Sequence, residues 1–312
     1  MRRLHGALLA LAMLAGGAQA QDLDYRLAPR QVAPGVWVLQ GANADFARAN
    51  GCNIINTGFI DTGDGVMVIN TGPSLRYGEQ QREAISRVTR APVRWVFNLN
   101  LHPDYFFGNQ AYADVGAQAL PGTMAGAQRE GAAYADNLYR LCGDWMQSTV
   151  STPPTLPVAP GERTFGRHRI ELIRFDGHTD DDLVVIDHTS GVIFAGGLVF
   201  RNRIPTTPHA DIARWLASLD RLQAIVARHH GYVLIPSHGP ALDHADAIAQ
   251  TRQYLRWLDA RLRRAAEDGR DLAEVLAMPV ADEYAHWAGM PAEYVRNVTH
   301  FYPRYESAAL VP

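Results

Sequence analysis

Three histidines stand at the ends of predicted strands that are far apart in the sequence, and each is followed by small or turn-forming residues. They are His102, His178 and His238, and Asp104 lies two residues after the first. In a layered α/β protein the loops at one end of the strands form the site. Imidazole nitrogen and carboxylate oxygen are standard zinc donors. The sequence therefore predicts one metal site built from these four residues.

The loop that carries the first histidine, residues 97–109, holds two further polar candidates, Asn100 and Tyr105. Alternate residues of an extended segment share one face, so these side chains can converge with those of His102 and Asp104. An amide and a phenol are weaker metal donors than imidazole or carboxylate. Asn100 and Tyr105 are therefore weaker candidates for metal ligands than the three histidines and Asp104. For this loop taken alone, the alternative is an ordinary surface turn. The joint placement of three histidines favours the metal site.

The composition describes a globular protein with a large core. Of 312 residues, 47% are hydrophobic and 20% are charged, which excludes a disordered chain. The net charge of −3 gives no basic footprint for nucleic acid. Because no apolar run is long enough to span a bilayer, a membrane span is not expected. With nucleic acid and a membrane span set aside, a small-molecule substrate is the expected partner.

The first twenty residues have the pattern of a secretory signal peptide. Arg2 and Arg3 precede an apolar run at 7–15, and Ala18-Gln19-Ala20 supplies a cleavage site. We predict a signal peptide at 1–20, a mature domain at 21–312 and a periplasmic location. A membrane anchor is disfavoured by the short apolar run, and a lipoprotein by the lack of a nearby cysteine. Cys52 and Cys142 can form a disulfide in that compartment, but the sequence does not show whether they meet.

Strand and helix patterns alternate along the chain, which predicts a layered α/β fold. Strands are predicted at 35–41, 53–60, 66–70, 93–98, 170–175, 183–187, 192–194 and 232–235, and helices at 75–88, 124–139, 211–226 and about 243–266. Residues from about 112 to 163 form an insertion over one edge of the site. Residues from about 270 to 312 form a cap of short helices and aromatic side chains.

An ordered set of motifs resembles the metallo-β-lactamase superfamily and covers the mature chain to about residue 265. The motifs are Asn70-Thr71-Gly72, Asn100-x-His102-x-Asp104-Tyr105, Gly177-His178-Thr179, Phe194-Ala195-Gly196-Gly197 and Ser237-His238-Gly239. The resemblance implies the four-layer αββα sandwich of that superfamily. Residues 70–80 and 206–211, with the signal peptide, resemble more narrowly the quinoprotein relay system zinc metallohydrolase group. That narrower resemblance implies a quinoprotein dehydrogenase or a c-type cytochrome as a partner.

Four positions depart from the superfamily pattern. Asn100 and Tyr105 stand where histidines are usual, Gly197 where an Asp or Cys is usual, and Asn70 where an Asp is usual. One zinc position then retains His102 and His178 with Asn100, and the other retains Asp104 and His238 with Tyr105. Because zinc takes four donors, we expect at most one ion, weakly bound. For His209 two roles are open, a replacement ligand and a surface residue, and the surface role is favoured.

These residues favour a zinc-dependent hydrolase in which Asp104 is the catalytic carboxylate. Zinc lowers the pKa of bound water and polarises a carbonyl oxygen, and a nearby carboxylate can orient that water or accept its proton. Two alternatives stay open. A binding protein that kept the fold and lost the metal would explain the four departures. A true β-lactamase requires a carboxylate anchor, but Phe200 occupies the position of the lysine that some lactamases use, with Arg201 beside it.

Overall fold

The computed structural model describes residues 23–241 and 246–310, so the predicted signal peptide at 1–20 lies outside the described residues. The strands are β1 (Arg30–Ala33), β2 (Val36–Leu39), β3 (Thr57–Asp61), β4 (Val66–Ile69), β5 (Val93–Phe97), β6 (Ala117–Ala119), β7 (Leu156–Pro157), β8 (Gly161–Phe165), β9 (His168–Phe175), β10 (Asp182–Asp187), β11 (Val192–Phe194) and β12 (Val233–Ile235). The α-helices are α1 (Leu75–Val88), α2 (Pro103–Phe106), α3 (Pro121–Cys142), α4 (Ile212–Arg228), α5 (Ala247–Glu267), α6 (Leu272–Ala277), α7 (Asp282–Ala285) and α8 (Ala292–Ala309).

These strands form two sheets that pack face to face. One sheet has the order β1-β2-β3-β4-β5-β6-β7 and the other the order β12-β11-β10-β9-β8. Side chains of a strand point alternately to its two faces. Met67 of β4 and Leu183 and Val185 of β10 therefore share one buried cluster between the sheets. This shared cluster forms the inner core of the sandwich.

The other face of each sheet is covered by helices. Val66 and Val68, the neighbours of Met67 in β4, pack in a separate cluster with Ile85 of α1. Val184 of β10 packs with Trp215 of α4, in a cluster that also includes residues of α5 and α8. The order helix, sheet, sheet, helix confirms the predicted αββα sandwich.

Two segments differ from the sequence-based prediction. The helix predicted at 124–139 is longer at both ends, since α3 spans Pro121–Cys142. The tail predicted as short helices ends in the 18-residue α8, which continues through Pro303. That helix contributes Phe301 and Tyr302 to the core, so burial of its apolar face stabilises it despite the proline. No helix among the described residues is long and apolar enough to cross a membrane.

A disulfide joins Cys52 to Cys142, with 6.0 Å between their Cα atoms. Cys142 is the last residue of α3, and Cys52 lies in the loop after β2. Both cysteines are buried in a small apolar cluster with Phe106 and Leu138. The bond therefore fixes the C-terminal end of α3 to the body of the domain.

We expect the Cys52→Ser, Cys142→Ser double variant to lose about 2–5 kcal/mol of unfolding free energy, because the bond closes a long loop in the unfolded chain. Urea denaturation of the oxidised wild type and the variant measures the difference. The wild type unfolded under reducing conditions is the control, and it should match the variant. Equal midpoints for the oxidised wild type and the variant would contradict the prediction.

Candidate active site

The loop between β5 and α2 is buried, and a set of amides satisfies its backbone. Asn70, in the left-handed region at φ 58°, accepts a hydrogen bond from the Leu99 N–H at 2.9 Å. The Asn98 amide donates to the carbonyl of Tyr105 at 2.9 Å, and Asn109 donates to Asn98 at 2.8 Å. A buried loop needs such partners because unpaired polar groups are costly. These bonds set the position of His102 and Asp104.

Asn100 orients His102 and lies against His178, the two histidines of the first predicted zinc position. Its Oδ1 accepts a hydrogen bond from the His102 N–H at 2.9 Å, and its amide nitrogen lies 3.4 Å from His178 Nδ1. The rings of His102 and His178 pack edge to face with centroids 4.8 Å apart. The Asn100 oxygen is therefore used to hold the backbone of His102 in place.

His178 has one ring nitrogen bound and one left over. Its Nδ1 lies 2.9 Å from Asp182 Oδ1, and because a carboxylate only accepts, Nδ1 carries the proton. The other nitrogen, Nε2, is buried without a hydrogen-bond partner among the described residues. An imidazole whose N–H is held by a carboxylate, with the lone pair of the other nitrogen free, is the arrangement of a metal-binding histidine.

Asp104 and His238, the second predicted pair, are in direct contact. Asp104 Oδ2 lies 2.9 Å from His238 Nε2, and His238 Nδ1 lies 2.8 Å from the Ser237 hydroxyl. The imidazole stacks on Phe200 with centroids 4.8 Å apart and an interplanar angle of 3°. Both members of the pair are almost fully buried. Asp104 and His238 are thus fixed in orientation before any ligand arrives.

Tyr105 is completely buried between the two pairs, with ring centroids 6.4 Å from His102 and 6.2 Å from His238. Its hydroxyl makes no hydrogen bond of ordinary geometry with the described residues, although Ser237 and Asn100 lie near it. Burial, and then the charge of Asp104, raises the pKa of Tyr105 well above its usual value. Tyr105 is therefore a neutral phenol at physiological pH, available as a hydrogen-bond donor.

Gly197 occupies the position of the usual bridging carboxylate or thiol, and there is no room for a side chain. A Cβ at this residue would lie 2.0 Å from His178 Nδ1 and 2.4 Å from the Asn100 amide nitrogen. The imidazole and the amide fill the space that a ligand would need. The glycine is thus matched to the present positions of its neighbours.

His209 is a neighbour of the site, which corrects the expectation of a surface role. Its Nδ1 lies 3.3 Å from His102 Nε2, and its Nε2 lies 4.0 Å from Glu130 of α3. The side chain is 24% exposed. The contact engages Nε2 of His102 and leaves Nδ1 as the ring nitrogen for another ligand. His209 thus acts as an orienting partner of His102 in this structure.

The donor types fit zinc, but they are arranged as two pairs. His102 and His178 form one pair and Asp104 and His238 the other. Among residues 23–241 and 246–310, no group of three or more His, Cys, Asp or Glu side chains is placed so as to hold a metal ion. The free Nε2 of His178 and the oriented rings are the features that match a zinc ligand set.

A cavity of about 270 Å³ opens onto the second pair. His102, Asp104 and His238 lie at its base, and Tyr134 of α3 lines its wall. The hydroxyl of Tyr134 is buried without a hydrogen-bond partner among the described residues. A larger surface groove of about 1130 Å³ elsewhere contains none of the predicted site residues. The smaller cavity is therefore the candidate active site.

Sequence reasoning missed Asp182, and it named His209 as a replacement ligand but not as a partner of His102. Asp182 is the last residue of an Asp180-Asp181-Asp182 run, which is also typical of a solvated turn. Its spacing of four residues from His178 was the available signal. His209 had no such signal, because its contact with His102 spans 107 residues and depends on how the loops pack.

The chain belongs to the metallo-β-lactamase superfamily. The family profile described as "Metallo-beta-lactamase superfamily" matches residues 50–238, which is more than half of the chain and includes all predicted site residues. A solved metallo-beta-lactamase from Pontibacter korlensis is 21% identical with a TM-score of 0.59, and the match covers 74% of this chain and 99% of that one. The metallo-beta-lactamase FIM-1 from Pseudomonas aeruginosa, solved in a mono-zinc form, is 20% identical with a TM-score of 0.57, covering 74% and 95%. At these identities the structural likeness shows the fold.

We expect Gly197→Asp, which adds a carboxylate at the usual ligand position, to disturb the site and not to complete it. The new Cβ must displace His178 and Asn100, so the variant should lose about 1–3 kcal/mol of unfolding free energy. Urea denaturation measures the stability, and elemental analysis measures the zinc bound per chain. A variant as stable as the wild type that binds an additional zinc ion would contradict this reading of the geometry.

Two buried histidines make the metal-free protein sensitive to acid. Burial lowers the pKa of His238 to about 4, although Asp104 acts in the opposite direction. Burial and the neighbouring histidines lower the pKa of His102 well below its usual value. Between pH about 6.5 and 4 the unfolded chain therefore binds more protons than the folded protein. The free energy of unfolding must decrease as the pH is lowered through that window.

We expect the metal-free wild type to lose about 2 kcal/mol of unfolding free energy between pH 7 and pH 5, from one such histidine alone. His238→Gln should lose less over the same interval, because glutamine does not titrate. Urea denaturation of both proteins at the two pH values gives the comparison. The same pH dependence in both would show that His238 is not the group responsible.

Proposed function

We propose that the protein is a zinc-dependent hydrolase of small molecules with at most one zinc ion. His102, His178, Asp104 and His238 would hold the metal, with Asn100 and Tyr105 contributing neutral polar groups. A zinc ion at such a site supplies an acidified water molecule and polarises the carbonyl oxygen of a substrate. The observation that carries the proposal is the buried, unpartnered Nε2 of His178, whose opposite nitrogen is held by Asp182.

Asp104 is the residue we assign to catalysis. Its carboxylate lies at the base of the cavity and is oriented by His238. A carboxylate within hydrogen-bond reach of the attacking water can orient it and accept its proton. Tyr105, held as a neutral phenol beside Asp104, is placed to donate a hydrogen bond within the same site.

The setting that we propose is the periplasm. The supporting observations are the charged and apolar pattern of residues 1–20 and the disulfide between Cys52 and Cys142, a bond typical of oxidising compartments. The resemblance of residues 70–80 and 206–211 to the quinoprotein relay system zinc metallohydrolases suggests a quinoprotein dehydrogenase or c-type cytochrome as a functional neighbour. None of the site residues points to electron transfer by this chain itself.

A specific observation favours a second candidate, a binding protein without metal. The contact of 2.9 Å between Asp104 and His238 joins two predicted ligands directly through a hydrogen bond. Such a bond satisfies both groups in the absence of any cation. β-Lactam hydrolysis has less support, because position 200 holds a phenylalanine that stacks on His238 and offers no cation there.

Metal content separates the two candidates. Protein purified without chelators should contain about one zinc per chain, from the number of available donors. His102→Ala should lose that zinc, whereas His229→Ala, which changes a histidine outside the site, should retain it. Elemental analysis with the circular dichroism spectrum as a check on folding gives the result. Wild-type protein that takes up no metal at saturating zinc would leave the binding protein as the function.

A further inference from the structure

The cavity has one wall that belongs to α3 and α8, helices that do not carry the predicted metal ligands. Tyr134, Arg140 and Leu141 of α3 line it, together with Arg296 of α8. Phe46, from the loop that Cys52 ties to α3, also lines it. The wall therefore combines apolar side chains with two guanidinium groups. Such a surface selects for the shape and charge of a ligand.

One cation at the mouth of the cavity has no carboxylate partner among the described residues. Arg296 lies 2.7 Å from Asp45 and 2.7 Å from Glu293, and Glu293 also lies 3.7 Å from Arg203. Two carboxylates and two guanidinium groups thus balance each other. Arg140 is the remaining cation, and its hydrogen bond goes to the neutral side chain of Asn137 at 2.7 Å. Among the described residues no carboxylate pairs with Arg140, which leaves its charge for a ligand.

The distance along α3 relates this cation to the base of the site. Arg140 follows Tyr134 by six residues, which is a rise of about 9 Å along a helix axis. The Tyr134 hydroxyl is buried without a partner among the described residues, so it can donate a hydrogen bond to a ligand oxygen at the inner end. The cavity therefore offers a donor at one end and a cation at the other.

We propose that the cavity binds an elongated monoanion, whose carboxylate pairs with Arg140 and whose hydrolysable carbonyl group lies near Tyr134 and Asp104. The apolar section of such a molecule would contact Phe46 and Leu141. The inference rests on the hydrolase proposed above for the chemistry at Asp104. It adds the substrate class, a medium-length chain with an ester or amide at one end and a carboxylate at the other.

Binding of two matched esters tests the inference. Monomethyl suberate carries a carboxylate at the far end, and dimethyl suberate is the neutral molecule of the same length. Calorimetric titration of the wild type should give about twofold to fivefold tighter binding of the monoanion, the range for an exposed ion pair. Arg140→Gln should remove this preference. Arg263→Gln, which changes the net charge equally on the exposed face of α5, should retain it.

Raising the salt concentration should reduce the preference in the wild type, since the pair is exposed. Equal affinities for the two esters, no binding of either, or an unchanged preference in Arg140→Gln would overturn the inference. Methanol release from the monoanion is measured separately. A preference that depends on Arg140 without methanol release would leave the anion site standing and contradict the hydrolase. Methanol release that is equally fast from both esters, in the wild type and in Arg140→Gln, would support the hydrolase and contradict the anion site.

Discussion

The site depends on keeping a polar loop buried. Residues 98–109 are buried, so their backbone N–H and carbonyl groups need partners within the protein. Amide side chains provide several of these partners, because an amide can donate and accept at once. Asn70 is the clearest case, since its left-handed backbone lets the side chain reach the Leu99 N–H. The asparagine that looks like a lost acid in the sequence is a structural element of the loop.

Neutral replacements also change the charge of the site. Gly197, where an Asp or Cys is usual, contributes no negative charge, and Asp104 is the one carboxylate among the predicted metal ligands. Two dications close together need several anionic ligands to offset their repulsion. With Asp104 as the anionic donor, the electrostatics match a single cation. The space at Gly197, filled by an imidazole and an amide, leads to the same conclusion from packing.

Much of the fold could be predicted because the alternation of apolar and polar residues in strands, and the spacing of apolar residues in helices, are local signals. The strands around Met67 and Leu183 and the helix Leu75–Val88 follow from such patterns. The predicted site residues also come close in space, His102 beside His178 and Asp104 beside His238. Contacts between distant loops leave no local pattern. The pairing of the two cysteines, the approach of His209 and the cavity wall formed by α3 and α8 could be seen only in the folded chain.

The two sides of the cavity are built by different means. Its base stands on strand ends, whose positions are fixed by the inner core and by the amide network. Its outer wall stands on α3 and α8, and the disulfide at Cys142 holds α3 to the loop that supplies Phe46. A change of Arg140 can therefore alter which molecule is recognised and leave the base intact, because the hydrogen bond of this side chain goes to Asn137 of the same helix. Chemistry and recognition are thus separable here, and the loss of ligands at the base does not imply the loss of recognition at the wall.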